Sequence, residues 1–362
     1  MSRPISLIVN TDAMRENFRF LKRLANRRFI WCVVKANAYG HGLKAAVDAF
    51  SEADGLAVIS VEEALELRQL GWTKRILLLE GLFSEDEIEL VAKTNSEPVI
   101  STYEQITWLK EISLKSPEKI SVYIKANTGL NRLGFNSEVI ESVASELATL
   151  AFINLEGVVT HFANAEPGYP TDGIASCKRQ LQRLSEIHYS FKEYCLANTA
   201  CILFHPEVQG SQVRAGIGLY GASPDDTLNI DKIGLKVTQS LVSKIIAKNY
   251  VKKGEGISYG SKYITKRDSV IAVVACGYAD GYPRTISSNA CVYINGKRAS
   301  IVGTVAMDML MIDISDIDNV KIGDVVELWG ENIKISEVAQ WSGTISYDLM
   351  CSVTKRVKKI IL

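Results

Sequence analysis

The sequence predicts an α/β fold with an N-terminal (β/α)8 TIM-type barrel, followed by a C-terminal domain of β-strands. Three observations predict it. Through the first two-thirds, short β-rich apolar runs alternate with amphipathic helical patterns, as parallel strands joined by crossovers require. These runs number eight, the count that closes such a barrel. Near Leu235 the texture changes to strand after strand, with turn signals between. An open doubly wound sheet is the competing arrangement for the first part.

Thr11 or Asp12 is expected to cap a first helix whose apolar side is Met14, Phe18, Leu21 and Leu24. The barrel strands are expected at Phe29–Lys35, Leu56–Ser60, Ile76–Glu80, Glu97–Ile100, Ile120–Ala126, Leu155–His161, Tyr194–Asn198 and Gln212–Gly218. Val61–Leu70 reads as a helix, with Glu62 and Glu63 in the first turn, where the dipole favours acids, and Gly71 as its stop. Asp86–Lys93, Tyr103–Ile112, Glu138–Leu150 and Gly173–Lys192 continue the helical series, and only a short helix fits Thr199–Ser211. Beyond Leu235 the strand runs are Leu241–Val251, Ser269–Tyr278, Ala290–Gly296, Arg298–Ile314 and Asp324–Gly330. Lys253-Gly254, Asn295-Gly296 and Ile322-Gly323-Asp324 mark turns. The barrel is assigned to residues 1–230 and the β domain to 231–362, with Ser223–Asp231 as linker and residues 1–10 open to joining the β domain.

The 362 residues suit two domains at about 150 residues each. Lys plus Arg and Asp plus Glu both number 41, which argues against a nucleic-acid partner or an anionic membrane surface. A local basic pocket remains compatible with that balance. No apolar run approaches the roughly 18 residues that span a bilayer. Met1–Asn10 holds no apolar core of a signal peptide, so a cytoplasmic location is expected. The seven cysteines are odd in number, and none forms a C-x-x-C pair. Several sit in apolar strands and read as small buried hydrophobes rather than a disulfide framework, and no metal site is expected.

Barrel enzymes work at the C-terminal ends of their strands. The first strand ends in Lys35. Burial disfavours a lysine's ammonium form and makes a Schiff-base nucleophile, but a lysine can also snorkel out at a strand end. The residue alone leaves both readings open.

The segment KANAYGHG (35–42) closely resembles the pyridoxal-phosphate lysine motif of alanine racemases. The resemblance recurs in order across nearly the whole chain. Its stations are IKANTGLNRLGF (124–135), THFANAE (160–166), LANTA (196–200), VRAGIGLYG (213–221), GEGISYGSKY (254–263), GYADGYPR (277–284), VGTVAMD (302–308) and SYDLMCSVTKRV (346–357). It implies a fold type III enzyme that uses pyridoxal 5'-phosphate to interconvert L- and D-alanine, for cell-wall peptidoglycan or alanine catabolism. It also implies a homodimer with composite sites, to which the other subunit contributes Tyr259, Tyr278 and Met307.

The residue roles follow from the resemblance. Lys35 anchors the cofactor and serves one face of Cα, while Tyr259 serves the other. Arg214 meets the pyridine nitrogen, and a permanent donor there leaves that nitrogen largely unprotonated. His161 links Arg214 to Tyr259. Gly216 and Ile217 offer backbone N–H groups to the phosphate, and Thr199, Tyr39 and Tyr347 offer hydroxyls. Arg132 and Met307 bind the substrate carboxylate. Tyr278 walls the entrance, with Asp308 as a further candidate there. Lys125 matches a lysine that some relatives carry carbamylated in support of the arginine, and an ordinary strand lysine is the competing reading. Asn127 stands where many relatives have Asp, Thr199 where many have Ser, and Ala215 where many have Pro. A broader-specificity racemase differs only in pocket walls. A fold-related decarboxylase would want an acid in place of Arg214. A non-catalytic pyridoxal-phosphate-binding protein would match the barrel alone.

Overall fold

The expected eight parallel strands close into a barrel. The structure is a computed structural model and describes residues 3–112, 119–170, 172–173, 176–208 and 210–362. After β1 (Ser6–Val9) come the barrel strands β2 (Phe29–Val33), β3 (Gly55–Val58), β4 (Arg75–Leu78), β5 (Glu97–Ile100), β6 (Ile120–Lys125), β7 (Ile153–Val159), β8 (Glu193–Ala197) and β9 (Gln212–Ala215). The ring closes where β2 pairs with β9, Phe29 opposite Gln212. Every residue of β3, β5 and β9 is buried; β3 reads as an apolar run, whereas β5 and β9 also bury Glu97, Gln212 and Arg214.

The N-terminal end of the barrel is plugged by a polar network. Arg75 donates to both carboxylate oxygens of Glu97, at 2.7 and 2.6 Å, and to the Tyr123 hydroxyl at 2.9 Å. Gln212 Oε1 accepts from Trp31 Nε1 at 2.8 Å and from the Tyr123 hydroxyl at 3.1 Å. Gly55 makes room for Trp31, whose ring would lie 2.4 Å from any Cβ there. The plug leaves the opposite end for chemistry.

The expected helices form at Val61–Gln69, Glu87–Thr94, Tyr103–Glu111, Ser137–Ala148, Cys177–Ser185 and Thr199–Phe204. Ser60, Thr102, Ser176 and Asn198 cap four of them with side-chain acceptors. The first helix, Thr11–Leu24, is capped one residue earlier than expected. Asn10 Oδ1, rather than Thr11 or Asp12, accepts from Ala13 N at 3.0 Å. The helix expected over 173–192 is confined to Cys177–Ser185, because Ser176 sets its start and the chain turns at Glu186. Expected positions 174 and 175, and 209 in the following segment, lie outside the described residues.

By contacts the chain divides into two compact units. One consists of Arg15–Ala38 and Ala46–Leu219 and contains the barrel. The other gathers the described part of Met1–Met14 with Tyr39–Ala45 and Tyr220–Leu362. Its strands are β1, β10 (Gln239–Val251), β11 (Gly256–Ile257), β12 (Tyr263–Ile264), β13 (Ser269–Val274), β14 (Cys291–Ile294), β15 (Lys297–Ser300), β16 (Leu310–Asp313), β17 (Val325–Trp329) and β18 (Lys358–Ile361). Eight of them form one sheet in the order β15-β14-β17-β10-β1-β18, with β13 added to β10 and β16 to β13. The run expected over Arg298–Ile314 is two strands, β15 and β16, separated by a loop that carries Met307. Helices Ile335–Ser342 and Ser346–Ser352 lie beyond the last strand run read from the sequence. Among the described residues no helix is long and apolar enough to cross a membrane.

Candidate active site

The C-terminal ends of the barrel strands gather the basic residues singled out in the sequence. Lys35 lies two residues past β2, Lys125 ends β6, and Arg132 sits in the loop that follows. His161 lies two residues past β7, and Thr199 opens the helix after β8. Arg214 is the third residue of β9, and Gly216 and Ile217 come directly after that strand. The strand expected to run to Lys35 stops at Val33. Ala36, Asn37, Ala38 and Tyr39 then turn left-handed, with φ of 54°, 53°, 54° and 50°.

Arg214 is 4% exposed, and its partners are not acids. One Nη donates to Cys195 O at 2.6 Å and to Cys195 Sγ at 3.3 Å. The other donates to Thr160 O at 2.6 Å, Leu196 O at 3.3 Å and His161 Nδ1 at 3.5 Å. Among the described residues no carboxylate pairs with this guanidinium. Guanidinium only donates, so Nδ1 of His161 is the acceptor and the neutral ring carries its proton on Nε2. Burial, then Arg214, Lys125, Arg132 and Lys35, hold His161 well below its ordinary pKa. Burial, then Arg214 and Arg132, push Lys125 down to about 7.

The loop carrying Arg132 is shaped by Asn127. Its Oδ1 accepts from Gly129 N at 3.3 Å and Asn131 N at 3.0 Å, and its Nδ2 donates to Asn131 Oδ1 at 3.2 Å. A carboxylate there would lose that last bond, so the amide gives this chain a contact that Asp could not make. Thr199 Oγ1 accepts from Gly216 N at 2.8 Å, leaving its own proton to donate outward. Ile217 opens a short 3-10 turn, so its N–H has no partner within that turn.

The other unit presents two further groups. Tyr39 is buried, stacks on Tyr220 with ring centroids 4.6 Å apart, and lies 6.0 Å from the Tyr347 ring. Burial raises its hydroxyl pKa, so it remains a donor. Tyr259, Tyr278 and Met307 are brought together by hydrogen bonds to backbone carbonyls between their loops. Thr304 Oγ1 donates to Tyr259 O at 3.2 Å, Tyr278 N to Ala306 O at 3.1 Å, and Ala279 N to Met307 O at 3.0 Å. All three side chains are exposed, at 74%, 37% and 52%.

Asp308 is drawn into a brace instead. It accepts from Arg356 at 2.6 Å, and its carbonyl accepts from Arg3 at 3.0 Å. The centre of that brace is Asp280, which the sequence reading left without a role. Asp280 is fully buried and accepts from Gly277 N, Arg3 and Arg356 at 2.9, 2.9 and 2.6 Å. Its one signal in the sequence is an acid between glycines in GYADGYPR. Among the described residues no cluster of three or more His, Cys, Asp or Glu side chains forms a metal site.

Family models for the alanine racemase N-terminal and C-terminal domains match residues 9–224 and 238–361. The chain belongs to the alanine racemase family. It is 40% identical over 363 residues to the catabolic alanine racemase of Klebsiella aerogenes, covering all of both chains. It is 39% identical to the alanine racemase of Janthinobacterium sp. (strain Marseille), covering 99% of each. The solved structure of the biosynthetic alanine racemase from Pseudomonas aeruginosa superposes with a TM-score of 0.94 at 38% identity, over 99% of each chain. Membership of the alanine racemase family accounts for a barrel and a separate β unit in one chain.

Proposed function

We propose that the chain interconverts L- and D-alanine with pyridoxal 5'-phosphate, as a homodimer whose copies complete each other's sites. The observation that carries this reading is Arg214, buried on carbonyl oxygens within a cationic cluster that no carboxylate pairs with among the described residues. Such a cluster is costly to bury alone and suits an anionic ligand. Pyridoxal phosphate fits: its phosphate and phenolic oxygen are anionic, and its ring nitrogen accepts from an arginine. When bound, it supplies an electron sink for the pair left as Cα loses its proton.

This chain's own groups do the rest. Lys35 Nζ would hold the cofactor's aldehyde carbon, and Thr199 Oγ1 and Ile217 N would donate to its phosphate. Arg214 cannot give up its proton, so it leaves the ring nitrogen unprotonated. A sink of that strength suits the movement of one proton rather than decarboxylation or transamination. Arg132, with Lys125 behind it, draws in the substrate carboxylate. Lys35 Nζ takes or returns the α-proton on one face. Tyr259 of a second copy serves the opposite face, with the Nε2–H of His161 as a donor to its hydroxyl. Tyr278 and Met307 of that copy would wall the pocket to small side chains. The exposure of all three in the single chain supports their being covered by a partner.

The test uses the protein purified with pyridoxal phosphate and given L-alanine in deuterated water. Loss of the α-proton signal, with D-alanine accumulating towards an equal mixture, is expected. Tyr259→Phe is expected to retain cofactor and racemise at least about a hundredfold more slowly. An unchanged alanine pool overturns the reading, and full activity in Tyr259→Phe overturns the two-base assignment.

A further inference from the structure

The helix Val61–Gln69 carries a carboxylate that the proposed reaction does not use. Glu63 is its third residue, and Ser60 is its cap. A glutamate at this position ordinarily reaches back to the N–H of its own cap. Here it reaches elsewhere. One oxygen accepts from Ile59 N at 3.0 Å, and the other accepts from Ala36 N at 2.8 Å. Ile59 is the residue after β3, and Ala36 follows Lys35. A single carboxylate therefore ties together the C-terminal ends of two neighbouring barrel strands. The N–H it holds on β2's side belongs to the peptide bond that joins Lys35 to Ala36.

The capping pattern explains neither contact, because Ile59 N precedes the cap and Ala36 N lies beyond another strand. Ala36 opens the run of four non-glycine residues with positive φ. Each is sterically disfavoured, and such a run persists only where its surroundings over-determine it. Ala38 N donates to Val34 O at 2.8 Å, bracing the middle of the turn. Glu63 braces its start. Rotation of the 35–36 peptide would break that bond and swing the Lys35 side chain with it.

We infer that Glu63 is a positioning residue, which fixes the 35–36 peptide through its bond to Ala36 N and so aims Lys35 Nζ. The inference rests on the function proposed above, in which Lys35 holds the cofactor and moves a proton. Its loss misaims a reacting amine, where small displacements cost orders of magnitude.

The test compares Glu63→Ala and Glu63→Gln with Glu62→Ala, an exposed neighbour on the same turn, in the cofactor-loaded protein. Three quantities are read: the pyridoxal-phosphate dissociation constant, the rate at which Lys35 captures added cofactor, and kcat against KM for L-alanine. In Glu63→Ala, capture and kcat are expected to fall at least about tenfold, with KM changed far less and the melting temperature close to that of the parent. Glu63→Gln keeps one acceptor and should fall between, carrying the test if the alanine variant fails to fold. Glu62→Ala should match the parent. Parental capture and kcat in Glu63→Ala or Glu63→Gln would overturn the role of Glu63. So would a loss of activity no greater than the unfolded fraction. A parent protein that neither binds cofactor nor racemises alanine would instead overturn the functional reading beneath it.

Discussion

Arg214 is satisfied by a geometry that an ammonium cannot copy. Its two terminal nitrogens reach Cys195 O, Thr160 O, Leu196 O and the ring of His161 from one planar head. A lysine has three donors on a single point and cannot span them. Arg214→Lys would strand at least one buried carbonyl, at about 1–3 kcal/mol, and release the tautomer of His161. We expect kcat/KM for alanine to fall roughly ten- to a hundredfold while circular dichroism stays parental; undiminished kcat/KM would show that the fork is not needed. The sequence named this arginine through its VRAGIGLYG setting, but not its partners. Those are carbonyls of β8 and of Thr160, the residue after β7, and a backbone oxygen leaves no residue-type signature. Asp280 and Glu63 escaped for a related reason. Both act on main-chain N–H groups, Glu63 on a neighbouring strand, and from spacing alone Glu63 looks like an ordinary first-turn acid.

The least legible element is the turn after β2. Apolar runs bounded by polar residues placed the barrel strands to within a few residues, because both faces of each strand are covered. Nothing in KANAY announces four successive left-handed residues, since positive φ is read from glycine and only Asn37 hints at it. The first obligatory glycine is Gly40, at φ +77°. A Cβ there would lie 2.0 Å from Met350 O, within its own unit. Neither the backbone nor helix Ser346–Ser352 can give way cheaply. Gly40→Ala should therefore destabilise by more than about 2 kcal/mol, read as a fall in the denaturant midpoint at constant slope. An unchanged midpoint would mean that the turn relaxes freely. The loop between β15 and β16 was hidden differently. IVGTVAMDMLMIDI is mostly apolar, with only Gly303, Thr304, Asp308 and Asp313 interrupting it, so composition alone could not separate strand from the loop that presents Met307.

Across the whole molecule the charges cancel, yet one end of the barrel does not share in the balance. Lys35, Lys125, Arg132 and Arg214 act together on His161, and every charged group among its largest influences is a cation. Without a bound anion that field is a cost of folding, and Lys125 reports it. Its amine lies at about 7 in the folded chain against 10.5 when free. Below pH 7 both states bind the proton and the cost is fully present. Between about pH 7 and 10.5 only the unfolded chain binds it, so stability rises by up to about 1.4 kcal/mol per pH unit from this group. Above that window the cost is gone. His161, held low, acts in the same direction on the acid side. Lys125→Met removes the cost at every pH. In the cofactor-free protein its melting temperature should exceed the parent's most at and below about pH 7 and converge on it by about pH 10. Inorganic phosphate should shrink the gap near pH 7, because an anion in the barrel mouth offsets the same field. A gap that stays constant with pH, or that reverses near pH 7, would mean that Lys125 is paired in the folded chain and that the mouth carries no uncompensated charge. The need for an anionic ligand, which carries the functional reading, would then lose its physical basis.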